Sequence, residues 1–161
     1  MEMMLSLKQK KMIDRGYVYL FGGKGNVITS EYIKHMSEMY KDVFSPDIIE
    51  LSNKKIGKVA VDCSGFVSIA TKTSYGDSLG IFSHLVNPIR VTELNTIKNG
   101  MILYKKGHVG IVCATGNGFV IEVKDTKTDI VCSPFDKRAK DFDFCGELEG
   151  VSYDNVNSLE L

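Results

Sequence analysis

The chain has 161 residues, of which 43% are hydrophobic and 25% are charged, so it is long enough for a single domain with a full hydrophobic core. Twenty Asp and Glu residues balance twenty Lys and Arg residues, and the basic residues are scattered rather than clustered. Because no basic patch is present, we expect no nucleic-acid partner. No apolar run approaches the roughly 20 residues that a membrane-spanning helix needs, so we expect no membrane partner.

The N-terminal residues 1–12 mix Glu2 and three lysines with short apolar pairs. They do not form the continuous apolar core of a secretory signal peptide. We therefore expect no export signal in this chain, and the sequence leaves the localisation open.

The first predicted elements precede any candidate functional residue. Residues 17–21 are aromatic and strand-like, and the glycine-rich residues 22–25 after them lack the spacing of a phosphate-binding loop, which predicts a turn. Residues 29–40 carry apolar side chains three and four positions apart, and Thr29 or Ser30 can cap their N-terminus. This pattern predicts an amphipathic helix.

The next element carries a candidate nucleophile. An apolar lead-in beginning at Val59 reaches Asp62, a good helix N-cap, and places Cys63 in the first helical turn. The helix dipole favours a thiolate there, and the backbone N–H groups of a first turn can stabilise an oxyanion. Position alone also allows an ordinary buried cysteine beside a cap.

The other cysteines do not resemble a metal site or a nucleophile in their spacing and neighbours. The four cysteines are widely spaced and form no Cys-x-x-Cys pair, which argues against a structural zinc site. Cys113 and Cys132 lie in apolar, strand-like runs, where we expect them to behave as small buried hydrophobic residues. Cys63 alone has polar and glycine neighbours.

The second half of the chain is predicted to form strands. Gly and Pro break residues 73–99 into loops and short pieces, after which four strand-like runs predict an antiparallel meander. These runs are residues 101–104, 108–114, 119–123 and 130–132.

A strong turn signal at residues 115–118 predicts the register of one hairpin in this meander. A two-residue loop at residues 116–117 would pair Ile111 with Glu122 and His108 with Asp125. The carboxylate that could orient His108 is therefore Glu122, Asp125 or neither.

Residues 62–66 (DCSGF) and 107–111 (GHVGI) together resemble the NlpC-type cysteine peptidases, a papain-like family of bacterial and phage peptidoglycan hydrolases. Residues 19–25 (YLFGGKG) are similar to the aromatic-Gly-Gly segment that precedes the catalytic helix in that family. The tail at residues 146–153 is similar to the ending of phage-type members. Together the matches run from about residue 17 to residue 153, within one domain predicted to span residues 1–161.

This resemblance implies roles for individual residues. Cys63 would be the nucleophile, and His108 would be the general base that accepts its proton and returns one to the leaving amine. Tyr19 matches a tyrosine beside the oxyanion site, although a core tyrosine fits the sequence nearly as well. Asp62 would serve first as helix cap and second as a substrate contact, and Ser64 belongs to the same oxyanion or substrate-binding group.

The sequence departs from the family at the third catalytic position. Many members carry His, Asn or Gln shortly after the histidine strand, whereas the matching run here is VIEV at residues 120–123. Glu122 is the best candidate, because a carboxylate can accept the second ring N–H of His108 and stabilise the imidazolium. A charged strand residue facing solvent is the other interpretation of Glu122, and Asp125 stays as the alternative third residue.

The resemblance implies an α+β, papain-like fold in which N-terminal helices pack on a central antiparallel sheet. It implies cleavage of an amide bond in the stem peptide of peptidoglycan, most often between D-glutamate and the diamino acid, with no metal and no organic cofactor. An N-acetylmuramoyl-L-alanine amidase, a papain-like acyltransferase and a catalytically weak virion or wall-binding module are the alternatives. We expect a cell-wall substrate, as for a phage lysin domain, a tail-associated hydrolase or part of a longer enzyme.

Overall fold

The computed structural model describes residues 16–161 as a mixed α+β arrangement. Residues 1–12, considered above for an export signal, lie outside the described residues. Among residues 16–161, no helix is long and apolar enough to cross a membrane.

The N-terminal half alternates short strands with helices. Its elements in chain order are β1 (Tyr17–Tyr19), β2 (Lys24–Val27), α1 (Ser30–Met39), α2 (Pro46–Asn53), β3 (Val59–Val61), α3 (Cys63–Thr71) and α4 (Ser78–Ser83). Strand β3 lies between the other two strands of this half, parallel to β1 and antiparallel to β2.

The C-terminal half is mostly strands. Its elements are β4 (Leu85–Arg90), β5 (Thr96–Lys98), β6 (Ile102–Lys105), β7 (His108–Cys113), β8 (Phe119–Val123), β9 (Ile130–Pro134), α5 (Phe135–Arg138), β10 (Phe144–Leu148) and β11 (Ser158–Glu160), with 3₁₀ turns at Val91–Glu93 and Ala139–Asp141. Six strands form an antiparallel sheet in the order β4-β10-β6-β7-β8-β9, and β11 pairs with β5.

Several predicted elements are confirmed. Helix α1 follows the predicted span, and the Thr29 side chain caps it by accepting a hydrogen bond from the Tyr32 backbone N–H at 3.1 Å. Strands β6 to β9 form the predicted meander. The turn predicted for residues 22–25 is wrong at its end, because β2 begins at Lys24 and pairs with β3. Strand β4 was also missed, since it lies within residues 73–99.

Helix α3 is held by the main core, which lies between it and one face of the sheet. Phe66 and Val67 on the helix are buried against Val109 and Ile111 of β7 and Ile121 of β8. A second cluster lies around Leu103, Val112, Val120 and Phe142. Burial of each large apolar side chain contributes about 1.5–3 kcal/mol, so both layers hold the sheet from which the site is built.

The register predicted for the β7–β8 hairpin is wrong by one residue. Ile111 pairs with Ile121 instead of Glu122. The predicted turn does form, since the Gly118 N–H donates to the Thr115 carbonyl at 2.9 Å. However, Cys113 pairs with Phe119, so Ala114 is an extra residue on the β7 side, as in a bulge, and it shifts the pairing by one residue.

This shift determines which side chains share a face with His108. Continuing the observed register places Glu122 opposite Gly110, and because side chains alternate along a strand, Glu122 then lies on the face of His108. A Cβ on Gly110 would lie 3.6 Å from the Glu122 Cβ, which shows how closely the strands approach here. The pairing of His108 with Asp125 that follows from a two-residue loop is therefore wrong.

Candidate active site

Cys63 is the first residue of α3 and is partly exposed. Asp62 is the N-cap: its backbone is extended, with a φ of −95° and a ψ of −176°, and its carboxylate accepts a hydrogen bond from the Gly65 N–H at 2.7 Å. The cap fixes the first turn and so fixes the position of the Cys63 sulfur. This agrees with the helix start predicted from the sequence.

Glycine allows the segment before β2 to lie against the start of α3. A Cβ on Gly23 would come within 2.6 Å of the backbone of Ala60 and Val61, and a Cβ on Gly65 would collide with the Gly23 carbonyl oxygen. The Asp62 N–H donates to that same Gly23 carbonyl at 2.9 Å. The aromatic-Gly-Gly segment is thus packed directly on the helix that carries Cys63.

Lys24, which follows this glycine pair, joins Asp62 and Ser64 in a small polar cluster. Its Nζ lies 3.0 and 3.1 Å from the two carboxylate oxygens of Asp62 and donates to the Ser64 Oγ at 2.6 Å. Ser64 Oγ in turn donates to Asp62 at 2.9 Å, and the Ser64 side chain is buried. Asp62 is therefore engaged both as a helix cap and as the ion partner of Lys24.

His108 is the first residue of β7, directly after Gly107, whose φ of +79° completes the turn from β6. The imidazole meets groups from two sides. The Cys63 side chain lies on one side, close enough to raise the pKa of the ring, and Nε2 donates to Glu122 Oε1 at 2.7 Å on the other. Since Nε2 is occupied by Glu122, the remaining ring nitrogen, Nδ1, is left for the thiol.

Glu122 is fully buried and is held by two donors. Its side chain has 0% exposure, and besides His108 it accepts two hydrogen bonds from Arg138, from Nε to Oε2 and from Nη2 to Oε1, both at 2.6 Å. Burial of an ionised carboxylate is costly without such partners. His108, Glu122 and Arg138 thus form one continuous chain of hydrogen bonds, and Cys63 lies beside its His108 end.

These contacts shift the pKa values of Glu122 and His108. Burial tends to raise the pKa of Glu122, but the hydrogen bonds from His108 and Arg138 and the charge of Arg138 lower it from 4.5 to about 2. Burial tends to lower the pKa of His108, yet the hydrogen bonds and charges of Cys63 and Glu122 outweigh it and raise the pKa above 6.5. Glu122 is therefore ionised at neutral pH, and the imidazolium form of His108 is stabilised.

Cys63 and His108 line one open cavity of about 280 Å³, with other lining residues that include Tyr19, Asp62, Ser64 and Lys124. Burial, followed by the nearby charges of Cys63, Asp62 and Asp125, raises the pKa of Tyr19 to about 12. Tyr19 therefore keeps its proton at neutral pH and remains a potential donor to an anion beside Cys63. The three residues expected at the oxyanion or substrate-binding position all lie in this cavity.

Tyr19 is fixed by a buried lysine that the sequence did not reveal. Lys55 is 7% exposed, and its Nζ donates to the carbonyls of Tyr19 and Thr126 and to the Asp129 carboxylate, at 3.1, 2.7 and 2.6 Å. Asp129 also accepts from the Tyr19 N–H at 3.0 Å. This cluster ties β1 to the loop that follows β8.

Asp125 lies in that loop and has other partners. Its carboxylate accepts hydrogen bonds from the backbone N–H groups of Lys127 and Thr128 and from the Thr128 hydroxyl, at 2.8–2.9 Å. It is exposed and stabilises its own turn. The structure thus brings Glu122 to His108, while the Asp125 carboxylate faces its own loop.

The sequence analysis missed Arg138. It lies at the end of α5, in a stretch of alternating charged and apolar residues typical of a protein surface. The available signal was indirect: a glutamate inside the apolar run VIEV needs a cation if it is buried, but twenty Lys and Arg residues could supply one.

Within residues 16–161, no group of three or more His, Cys, Asp or Glu side chains is arranged to hold a metal ion. Of the other cysteines, Cys113 and Cys145 are buried and Cys132 is partly exposed. Comparisons of the chain with protein-family models, with curated proteins and with solved structures found no match.

Proposed function

We propose that the protein is a cysteine peptidase that hydrolyses an amide bond in the stem peptide of peptidoglycan. The observation that carries the proposal is the placement of Cys63 beside His108 at the wall of a cavity open to solvent, with His108 Nε2 hydrogen-bonded to the buried Glu122. A nucleophile, a base and a group that orients the base are the parts that covalent acyl transfer needs.

We also propose that the α+β fold is papain-like. A cysteine at the start of a helix, packed on an antiparallel sheet whose strand carries the histidine, is the arrangement expected of a papain-like domain. The motif resemblance at residues 62–66 and 107–111 supports it as well. Fold alone does not define the reaction, so the proposal depends on the side chains of the site.

The reaction would proceed in two halves. The Cys63 thiolate attacks the amide carbonyl carbon, and the His108 imidazolium gives its proton to the leaving nitrogen as the C–N bond breaks. The acyl group then remains on Cys63 as a thioester. Water, losing a proton to His108, attacks that thioester and releases a carboxylic acid and the free thiolate–imidazolium pair.

The residues around Cys63 and His108 would orient the base, stabilise the oxyanion and bind the substrate. Glu122 holds His108 in one orientation and stabilises its charged form. Backbone N–H groups of the first turn of α3 would stabilise the oxyanion, with the Tyr19 hydroxyl as a further donor. Asp62 and Ser64 would contribute to the substrate-binding wall, and Asp62 also holds the helix start.

The bond is proposed to be the one between D-glutamate and the diamino acid, following the family resemblance. Purified wild-type and Cys63→Ala proteins should be incubated with defined peptidoglycan and the new termini identified by mass spectrometry. We expect the wild type alone to release a new carboxyl terminus on D-glutamate and a new amine on the diamino acid. Equal product from both proteins would refute the Cys63 mechanism.

The same digest separates the alternatives. Cleavage that frees the amino group of L-alanine from muramic acid would identify an amidase. Transfer of the acyl group to an added amine in excess of hydrolysis would identify an acyltransferase. Binding of both proteins to walls without any product would identify a wall-binding module.

A second variant tests whether Cys63 and His108 act in the same step. His108→Ala should lower the cleavage rate about as far as Cys63→Ala, and the double variant should lower it no further, because residues that act as a unit are not additive. Additive losses would show that the two side chains act in separate steps.

A further inference from the structure

Arg138 makes the most extensive contact with the carboxylate that faces His108. Its Nε and Nη2 donate to the two oxygens of Glu122 in a bidentate pair, each at 2.6 Å. The Arg138 side chain is only 14% exposed, and Glu122 is fully buried. Such a fork constrains the plane of the carboxylate as well as its position.

Arg138 is itself held on two further sides. Its Nη1 donates to the Asp141 carboxylate at 3.1 Å. Its guanidinium carbon lies 5.1 Å from the centre of the Phe142 ring, and the His108 ring stacks on the same phenylalanine at 5.7 Å with an interplanar angle of 24°. Phe142 therefore contacts both the imidazole and the guanidinium, and all three planar groups are mutually constrained.

The geometry of the shared oxygen shows why the guanidinium matters to the imidazole. Glu122 Oε1 accepts from both His108 Nε2, at 2.7 Å, and Arg138 Nη2. With only the His108 contact, the carboxylate could rotate about its last bond and carry the hydrogen bond away from the ring. With the fork in place, Oε1 stays where the N–H of His108 points.

We propose that Arg138 is a positioning residue for the cysteine-peptidase reaction: it holds Glu122 in the plane and the ionised state that orient His108, and it acts on His108 only through Glu122. This inference rests on the proposed function. It assigns a role to a residue at which no motif pointed.

Other titratable groups near His108, Glu122 and Arg138 must be considered in any test that varies pH. They are Cys63 and Asp62 at the start of α3, Tyr19, Asp77 and Lys124 in the same cavity, Lys105 on β6, whose Nζ lies 5.5 Å from the Phe142 ring centre, and Asp141. Substitutions of Arg138 and Glu122 keep all of these groups, but Arg138→Leu also removes the hydrogen bond to Asp141, so only the comparison in a Glu122→Gln background isolates the effect that passes through Glu122.

The test measures the rate at which iodoacetamide alkylates Cys63, followed by mass spectrometry of the Cys63 peptide from pH 4 to pH 9. Alkylation requires no substrate, so its outcome stands even if no wall peptide is cleaved. Arg138→Leu should slow the reaction near pH 6 roughly tenfold, by analogy with the ten- to hundredfold losses that follow removal of the partners that orient metal-ligating histidines. The acid limb of its profile should move to higher pH, because a buried carboxylate without its cation protonates more readily.

The decisive comparison is the effect of Arg138→Leu on the alkylation rate of the Glu122→Gln variant. Glu122→Gln should slow alkylation at least as much as Arg138→Leu, and the double variant should be no slower than Glu122→Gln. An equal further slowing by Arg138→Leu in the Glu122→Gln background would overturn the proposal, because a general structural role does not depend on Glu122.

A conservative variant protects the test against misfolding, since Arg138→Leu leaves a buried carboxylate with one charged partner fewer. Arg138→Lys keeps the positive charge but offers no fork, so it should fold with a melting temperature near that of the wild type. We expect it to alkylate severalfold more slowly than the wild type. Wild-type rates and pH profile in Arg138→Lys would refute the bidentate positioning, whatever the fate of Arg138→Leu.

Discussion

A single carboxylate inside an apolar strand is tolerated only where donors and a cation surround it. Glu122 meets this condition with three hydrogen bonds, one from His108 and two from Arg138. The same contacts that make its burial possible also fix the imidazole beside Cys63. At this scale, stability and the proposed chemistry depend on the same atoms.

Glu122→Gln keeps the shape of this side chain and removes its charge. We expect the cleavage rate to fall by on the order of a hundredfold or more, because an amide can present its N–H₂ group to His108 and favour the wrong ring tautomer. Steady-state assays on a stem-peptide fragment would measure the change.

Asp125→Asn is the matched control for that substitution. Its carboxylate accepts hydrogen bonds from residues of its own loop, so the variant should cleave at close to the wild-type rate. A large loss confined to Asp125→Asn would contradict the assignment of Glu122 as the third residue.

The sequence predicted some of these residues and could not predict others. Cys63 and His108 were identifiable because each lies in a short motif and on an element with a clear pattern. The choice between Glu122 and Asp125 depended on a register that one extra residue, Ala114, shifts by one position. Arg138 approaches Glu122 through tertiary folding alone, and the residues around Arg138 in the sequence do not indicate that contact.

Among the elements, the start of α3 is the one on which the proposed chemistry depends most. The Asp62 cap satisfies an N–H group of the first turn, and the Gly23 backbone packs against the same turn. The backbone position of Cys63 is therefore fixed by the capped first turn of α3.

Asp62→Ala should destabilise the protein by about 1 kcal/mol, the usual cost of losing an N-cap. It should also lower the cleavage rate, because fraying of the first turn moves the Cys63 sulfur away from His108. Chemical denaturation and a cleavage assay measure the two effects separately.

Thr29→Ala removes the equivalent cap from α1, where the Thr29 hydroxyl accepts from the Tyr32 N–H. It should cost a similar free energy of unfolding without changing the cleavage rate. If the two variants lose stability equally and both retain full activity, the start of α3 does not control the position of Cys63.

The elements also differ in how well the sequence predicts them. Helix α1 and strands β6 to β9 have regular apolar spacing and clear turn or cap signals, and they were predicted correctly. Strands β2 and β4 were missed because they are largely exposed and interrupted by glycine or proline, so they carry no periodic apolar signal. They form because a neighbouring strand supplies hydrogen-bond partners.

At the scale of the whole molecule, the site couples folding to pH. The pKa of Glu122 falls from 4.5 to about 2 on folding, so its contribution to stability is fully present above pH 4.5 and is lost as the pH falls towards 2. The shift corresponds to about 3 kcal/mol. His108 acts in the opposite sense: its raised pKa contributes stability below pH 6.5 that is lost as the pH rises through the folded value.

The free energy of unfolding should therefore differ most between the wild type and Glu122→Gln near pH 6, and the difference should shrink towards pH 2. Urea denaturation at a series of pH values would show this, with Glu149→Gln, a substitution at an exposed residue, as the control. A difference that stays constant with pH would mean that Glu122 does not titrate as its contacts require.

In the proposed mechanism, Cys63 forms a covalent bond with the acyl half of a cell-wall peptide. The most direct measurement mixes the protein with a stem-peptide fragment, quenches the mixture in acid during turnover and determines the intact mass. We predict an added mass equal to the acyl portion, located on Cys63 and absent from Cys63→Ala. Turnover without any adduct on Cys63, together with full activity of Cys63→Ala, would rule out a covalent mechanism at this residue.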